Sequence, residues 1–440
     1  MRRIPRGLCY GLAVLVSLLA AHTVSASLCF LPPPTLSEQV AAADGVYLAR
    51  VVSRAEFNHQ DIDGEQYTIH STTYEIVHAM KGGLPGVISR AQIIIDQEHD
   101  GKPGDLVLLF GTLMREDDDD EEMELIEDDA EEAEAIAELD APADAALATV
   151  TTTTYLSWEA TQSISWAGYD YVKGLPPAVD ELGTELRADR LQYFLAYLEH
   201  ADAIIAEDAF TELDRASFAD LISLADHLPR AKLREWLATS EELWFRRRLY
   251  GVMLGLCGGK EDAAVLREIS LAAPHPDELG ERFGVDGVMV GYLLLTGEAG
   301  LSDLAQRKLH DQAADVNESY AVLEAIGFLY RESPQSIPVA RLRSAVRDLL
   351  IRQEMASIAI SKLAELADWE VRTEVISLFD ACGYEADEIR QAIVHYLQAV
   401  ASQLDNPSIR AASAQAQATL LELRSREPQL MEQAITLDLF

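Results

Sequence analysis

Few side chains in this 440-residue chain stand at spacings that chemistry demands. His70 and His78 lie eight apart in extended sequence, so one uninterrupted strand would turn both to the same side. Without a third ligand close by, they are expected to be solvated or hydrogen-bonded histidines rather than metal ligands. Asp96, Glu98, Asp100 and Gly101 carry the alternating acids and the glycine of a calcium loop. Val107, however, stands where the bidentate Glu belongs, and strand-like sequence flanks the loop, so a hairpin is the expectation. Gly255, Gly258, Gly259 and Lys260 approach a phosphate loop, but Leu254 replaces its first glycine and Glu261 its magnesium-binding hydroxyl, which leaves a turn between helices. The aromatic residues Trp236, Trp244, Tyr250 and Tyr292 are expected to pack between helices rather than to form a ligand platform. No nucleophile elbow, zinc-binding helix or dinucleotide turn is present. The sequence therefore assigns no catalytic, cofactor-binding or metal-ligating residue.

Charge narrows the partners. A formal net charge of −39 lacks the basic surface that releases counterions from nucleic acid, and it opposes docking on anionic lipid. The acids concentrate in residues 115–146, including an unbroken run at 116–122. Like charges at that density, with few apolar residues among them, predict a disordered insertion able to gather divalent cations weakly.

The chain begins with Arg2, Arg3 and Arg6, then an apolar run over 8–21 and the small residues Val24, Ser25 and Ala26. That order predicts a signal peptide over 1–26 and a mature start near Ser27. The run is shorter than the roughly 20 residues of a bilayer span, and no later segment is both long and uncharged enough, so no membrane insertion is expected after cleavage. The expected place is the periplasm or the cell exterior. Cys29, Cys257 and Cys382 then remain, an odd set with no C-x-x-C pair; Cys257 and Cys382 follow apolar helical runs and are expected to be buried thiols.

These side chains must be positioned by two kinds of element. Runs over 46–52, 67–77, 87–96, 106–110 and 151–158 are β-branched and aromatic, with Gly/Pro punctuation at 81–86 and 100–104. They predict a β-rich domain over 27–175 that forms a small barrel or sandwich, followed by a linker over 176–186. Cys29 near the mature start, the first strand from Ala43 to Val51, Tyr74-Glu75-Ile76-Val77 leading to Lys81-Gly82, and Gly104-Asp105 leading into Leu106 resemble the netrin-module and metalloproteinase-inhibitor type of OB barrel. The resemblance implies the fold; it does not carry inhibition of a metalloprotease, because Cys29 stands alone where those inhibitors present Cys-x-Cys.

From 187 to 440 the apolar period becomes helical, as in Leu191, Phe194, Leu195 and Leu198, or Val322, Ala325, Ile326 and Leu329. Residues 250–269 align on 290–309, and Asp368-Trp369-Glu370-Val371-Arg372 recurs as Asn406-Pro407-Ser408-Ile409-Arg410 after 38 residues. Asp368 and Asn406 are expected to cap helices whose first turns bury Val371 and Ile409. These elements resemble HEAT repeats, which implies an α-helical solenoid over 187–440 in which Arg bridges neighbouring repeats. The whole chain looks like an exported bacterial protein of β + α class. Its expected function is non-enzymatic, a protein-interaction or scaffold role in which the helical surface binds a protein partner. The alternatives are a hydrolase-type enzyme with its site between the domains, or a calcium-binding surface structural protein.

Overall fold

The computed structural model describes residues 34–60, 66–82, 90–95, 99–115, 154–160, 163–178, 187–239, 244–273, 282–403, 407 and 409–437. The leader, Cys29, the acidic insertion beyond Arg115 and Asn406 lie outside the described residues. The chain divides into two compact units, Pro34–Ala216 and Ser217–Phe440. The first unit therefore holds two helices, at 187–195 and 203–214, that sequence periodicity places with the helical region.

In the first unit the β-branched runs form β1 (Gly45–Gln60), β2 (Gln66–Lys81), β3 (Gln92–Ile95), β4 (Leu106–Arg115) and β5 (Thr154–Ala160). They make one antiparallel sheet in the order β3-β2-β1-β4-β5, with β3 and β5 at its edges. Tyr47, Ala49 and Val51 alternate along β1 and meet Tyr74, Ile76, Val107 and Leu109 in a buried cluster on one face, as the two-residue period requires. Val46, Leu48 and Leu108 on the opposite face are also buried, so the middle of the sheet is covered on both sides.

Four helices complete this unit: α1 (Leu36–Ala42), α2 (Trp166–Lys173), α3 (Arg187–Leu195) and α4 (Ala203–Asp214). Thr35 caps α1 through a capping box with Glu38. A buried polar cluster ties α1 to the others. Asp208 accepts the Leu36 N–H at 2.7 Å and the Tyr171 hydroxyl at 2.7 Å. Four residues on, Glu212 accepts from Ser37 and, at 2.6 Å, from Arg190, whose Nε also donates to the Pro177 carbonyl at 2.9 Å. Glu38 pairs with Arg215 at 2.7 Å. Residues 36, 37 and 38 thus grip positions i, i+4 and i+7 of one helical face. Burial, and then the Glu212 charge, push the Asp208 carboxyl up to about 6 against the pull of its hydrogen bonds from Leu36 and Tyr171.

The second unit is helical throughout its described residues: α5 (Phe218–Ser223), α6 (Arg230–Thr239), α7 (Arg247–Cys257), α8 (Lys260–Leu271), α9 (Val285–Thr296), α10 (Glu298–Leu304), α11 (Val316–Glu332), α12 (Val339–Arg347), α13 (Ala356–Glu365), α14 (Arg372–Leu378), α15 (Asp387–Ala401), α16 (Arg410–Arg426) and α17 (Pro428–Leu437). Short 3-10 turns precede α7 and α13, and one π turn, Ala305–Leu309, prolongs α10. Packing follows an alternating order: α7 lies on α9, α9 on α11, α11 on α13 and α13 on α15, while α10 touches both α8 and α12. Polar contacts repeat with the same step. Arg267 meets Asp303 and Arg282 meets Glu318, each 36 residues on; His310 meets Asp348 and Glu324 meets Lys362, each 38 on.

The contact between α7 and α9 depends on glycine. A Cβ placed on Gly251 would lie 2.6 Å from the Val288 Cα, and one on Gly255 or Gly291 would strike the backbone of the facing helix. Val371 is buried as expected, but α14 begins at Arg372 and Asp368 does not cap it. Asp368 is instead fully buried and bonded to Arg347, with Nε to Oδ2 at 2.6 Å and Nη2 to Oδ1 at 2.5 Å. Arg372 reaches Gln415 on α16 at 2.9 Å, a bridge of the kind that the repeat resemblance implies. Cys257 is half-buried, whereas Cys382 is exposed in the turn after α14, contrary to the buried thiol expected there.

A candidate docking edge on the helical unit

Burial of the apolar stripes leaves a set of large apolar side chains in solvent, and several of them lie in or near the connections into the inner helices. Phe245 precedes α7, Phe283 precedes α9, Val316 and Tyr320 occupy the first turns of α11, and Ile351 stands before α13. Phe283 and Ile351 are 64% and 69% exposed, against 0% for core residues such as Val322 and Ile326. A single exposed apolar residue on a surface is ordinary; here four of the inner helices, α7, α9, α11 and α13, each have one in or near the connection that leads into them, whereas α15 has none among the described residues.

The neighbouring cations explain how these turns are held. Arg246, Arg282 and Arg352 each adjoin an exposed apolar residue in sequence. Arg246 lies over the Phe245 ring at 5.2 Å. Arg282 grips Glu318 with two parallel bonds, Nε to Oε1 at 2.6 Å and Nη2 to Oε2 at 2.7 Å, and donates to the Ile269 carbonyl at 2.7 Å. Such a fork fixes orientation as well as distance. Arg352 is 3% exposed and donates to Ser319 Oγ at 2.9 Å and to the Ala314 carbonyl at 3.1 Å. Each turn is therefore tied to its neighbour: Arg247 approaches the Phe283 carbonyl at 3.5 Å, Arg282 holds α11 through Glu318, and Arg352 holds the same helix start from the other side. Arg282 and Arg352 are thus bonded inward, while the adjacent Phe283 and Ile351 are exposed.

Glu318 is the hub. Besides Arg282 it accepts from Lys308 Nζ at 2.8 Å, and Lys308 also donates to the Ala272 carbonyl at 3.0 Å. The π turn widens the backbone just where Lys308 turns inward, and Ser319 Oγ donates to the Lys308 carbonyl at 2.6 Å. Burial would raise the Glu318 carboxyl, but the bonds from Arg282 and Lys308 outweigh it and hold the group below the usual glutamate range. A cavity of about 510 Å³ opens beside the hub, with Asp303, Arg307, Lys308, Asp311, Asp315 and Glu318 in its wall.

The residues singled out from sequence are dispersed. His70 Nδ1 stands 3.9 Å from Glu56, whereas the His78 ring packs near Tyr169 at 5.9 Å. Of the calcium-like loop, residues 96–98 lie outside the described residues, and Gly101 donates its N–H to His99 Nδ1. Among the described residues no group of three or more His, Cys, Asp or Glu is placed to hold a metal ion. Gly258 and Gly259 form the expected turn, in which the Gly259 N–H meets Asp262 at 2.7 Å. Trp236 packs on Tyr250 at 5.1 Å, and Tyr292 reaches Asp303 at 3.3 Å; the Trp244 side chain lies outside the described residues. Sequence reading missed these exposed apolar residues, although the dipeptides Phe245-Arg246, Arg282-Phe283 and Ile351-Arg352 were a visible signal. No described helix is long and apolar enough to cross a membrane. No protein-family model matches the chain, and neither the curated proteins nor the solved structures contain a significant match to it.

Proposed function

We propose that this chain is an exported, non-enzymatic protein-binding module in which an OB-like N-terminal domain precedes HEAT-like stacked helix pairs. The exposure of Phe245, Phe283, Tyr320 and Ile351 near the starts of four inner helices carries this reading, because apolar side chains supplied by several helix pairs offer a partner more contact than a single pair could. The 36- and 38-residue steps of the ion pairs support the stacking. Asp311, Asp315 and Glu354 beside the exposed apolar residues favour a partner segment in which apolar residues alternate with Lys or Arg.

The test is comparative capture from an envelope extract, with the chain from residue 27 onward as bait beside the same chain carrying Phe283→Asp and Ile351→Asp. A partner recovered by the first bait should be lost from the second, and the two baits should give the same far-ultraviolet circular dichroism. Retention of that partner at full yield by the substituted bait refutes the edge.

A further inference from the structure

The core face of the sheet continues beyond its apolar centre into a polar hollow. In the β1–β2 pairing Arg54 stands opposite Thr72 and Glu56 opposite His70, while Tyr74 lies opposite Val51 in the core. Alternate residues 70, 72 and 74 of β2 therefore rise from one face, and Arg54 and Glu56 rise beside them. The loop before β4 brings His99 to the same place. Arg54 Nη1 donates to the His99 carbonyl at 2.9 Å, the Gly101 N–H donates to His99 Nδ1 at 2.9 Å, and the Tyr74 ring meets the imidazole edge-on at 5.8 Å. Because Nδ1 accepts a bond, the ring proton of neutral His99 sits on Nε2. A cavity of about 590 Å³ lies among these groups, with Arg54, Glu56, His70, Ser71, Thr72 and His99 in its wall.

The wall of this cavity lacks the excess of acid that marks the chain. In a protein of net charge −39, the cavity combines one guanidinium and two imidazoles with a single carboxylate, Glu56, which is 75% exposed and 3.9 Å from His70. Arg54 spends one N–H on the His99 carbonyl, and its planar fork has further donors of the geometry that tetrahedral oxyanions accept.

We propose that this cavity binds a soluble tetrahedral oxyanion, free phosphate or sulfate, with Arg54 as the anchoring cation, His70 as the second donor and His99 as the positioned third side. The site is independent of the docking edge, and neither reading requires the other.

Sodium phosphate and sodium sulfate, each titrated at constant ionic strength into the full chain, test it through the imidazole proton resonances, assigned with His70→Gln and His99→Gln. The His70 and His99 signals should shift saturably, and the tighter of the two ions identifies the preferred oxyanion. Arg54→Gln should weaken that binding roughly tenfold, the scale of one charge-assisted bond, with the melting temperature unchanged. Glu56→Gln removes the opposing carboxylate and should tighten binding several-fold, which keeps the test decisive if Arg54→Gln fails to fold. Absence of a saturable shift, or equal affinity in the wild type and in both variants, overturns the site.

Discussion

The two units each bury an acid–base cluster, and the clusters are wired in opposite senses. In the sheet unit two carboxylates, Asp208 and Glu212, share one guanidinium, Arg190, and Asp208 takes its hydrogen bonds from neutral donors. In the helical unit one carboxylate, Glu318, sits between two cations, Arg282 and Lys308. The same residue types at similar burial thus give an acid raised to about 6 in one unit and an acid held below its usual range in the other. Burial raises both carboxyls, and the direction differs because two cationic donors outweigh it at Glu318 whereas the neutral donors at Asp208 do not. That difference also decides what removing an acid does.

The largest effect is expected at the helical hub. Glu318→Gln should leave Lys308 and Arg282 without a counter-charge in a buried site, at a cost of about 3 to 5 kcal/mol in urea unfolding. Because the folded-state pKa of Glu318 lies below its unfolded value, its contribution is fully present above the unfolded value of about 4.3 and is lost as pH falls through the folded one. A loss under about 1 kcal/mol at pH 7 would mean that the pair contributes nothing net.

Asp208 should behave in reverse. Its folded pKa is raised above the unfolded one, so the folded state holds the extra proton between about 4 and about 6, and stability falls as pH rises through that window. The full swing corresponds to about 3 kcal/mol. Asp208→Asn keeps an acceptor for the Leu36 N–H and should flatten this dependence, making the variant at least as stable as the wild type at pH 7.5 and relatively weaker near pH 4. Parallel melting curves of the two proteins from pH 4 to 8 check it, and a constant offset at every pH excludes Asp208 as the titrating group.

The contrast between the units also marks what the sequence made legible. Strands were readable because Tyr47, Ala49 and Val51 alternate, and turn glycines and prolines separate the runs; helices were readable from stripes such as Val322, Ala325, Ile326 and Leu329. Less legible were the features that depend on which distant segments meet. The short helices α1 and α2 carry too few turns for a period to stand out, and α3 and α4 look like the rest of the helical sequence although they belong to the sheet unit. Asp368 reads as a cap because Asp precedes a helical run, but its partner Arg347 is 21 residues earlier and invisible to local pattern. The repeat itself was matched at an offset of 40, whereas the glycines that meet belong to Gly-Val-Met-Leu-Gly at 251–255 and Gly-Val-Met-Val-Gly at 287–291, 36 apart.

That glycine contact supplies the third expected effect. Gly291→Ala inserts a methyl group against the Gly251 backbone, which cannot rotate away as a side chain can. Helix propensity favours Ala over Gly by about 1 kcal/mol, so a purely local account predicts stabilisation. Overpacking costs about 1 to 3 kcal/mol, and net destabilisation is expected because two backbones must separate. Gly300→Ala provides no clean control, since Thr296 and Tyr292 crowd that position also.

The smallest expected effect bears most directly on function. Ile351→Ser changes a large apolar residue that is 69% exposed, so little transfer free energy is lost, and the unfolding midpoint should correspond to a change within about 0.5 kcal/mol. Arg352 beside it is 3% exposed and bonded to Ser319 and Ala314, so Arg352→Ala should cost several times more despite being the polar residue of the pair. The inversion follows from the geometry of the turn: the guanidinium is the structural anchor and the isoleucine is the presented group. Urea unfolding of both variants decides the matter. If Ile351→Ser proves as damaging as Arg352→Ala, the isoleucine is a packing residue, and the proposed docking role loses the exposed side chain on which it rests.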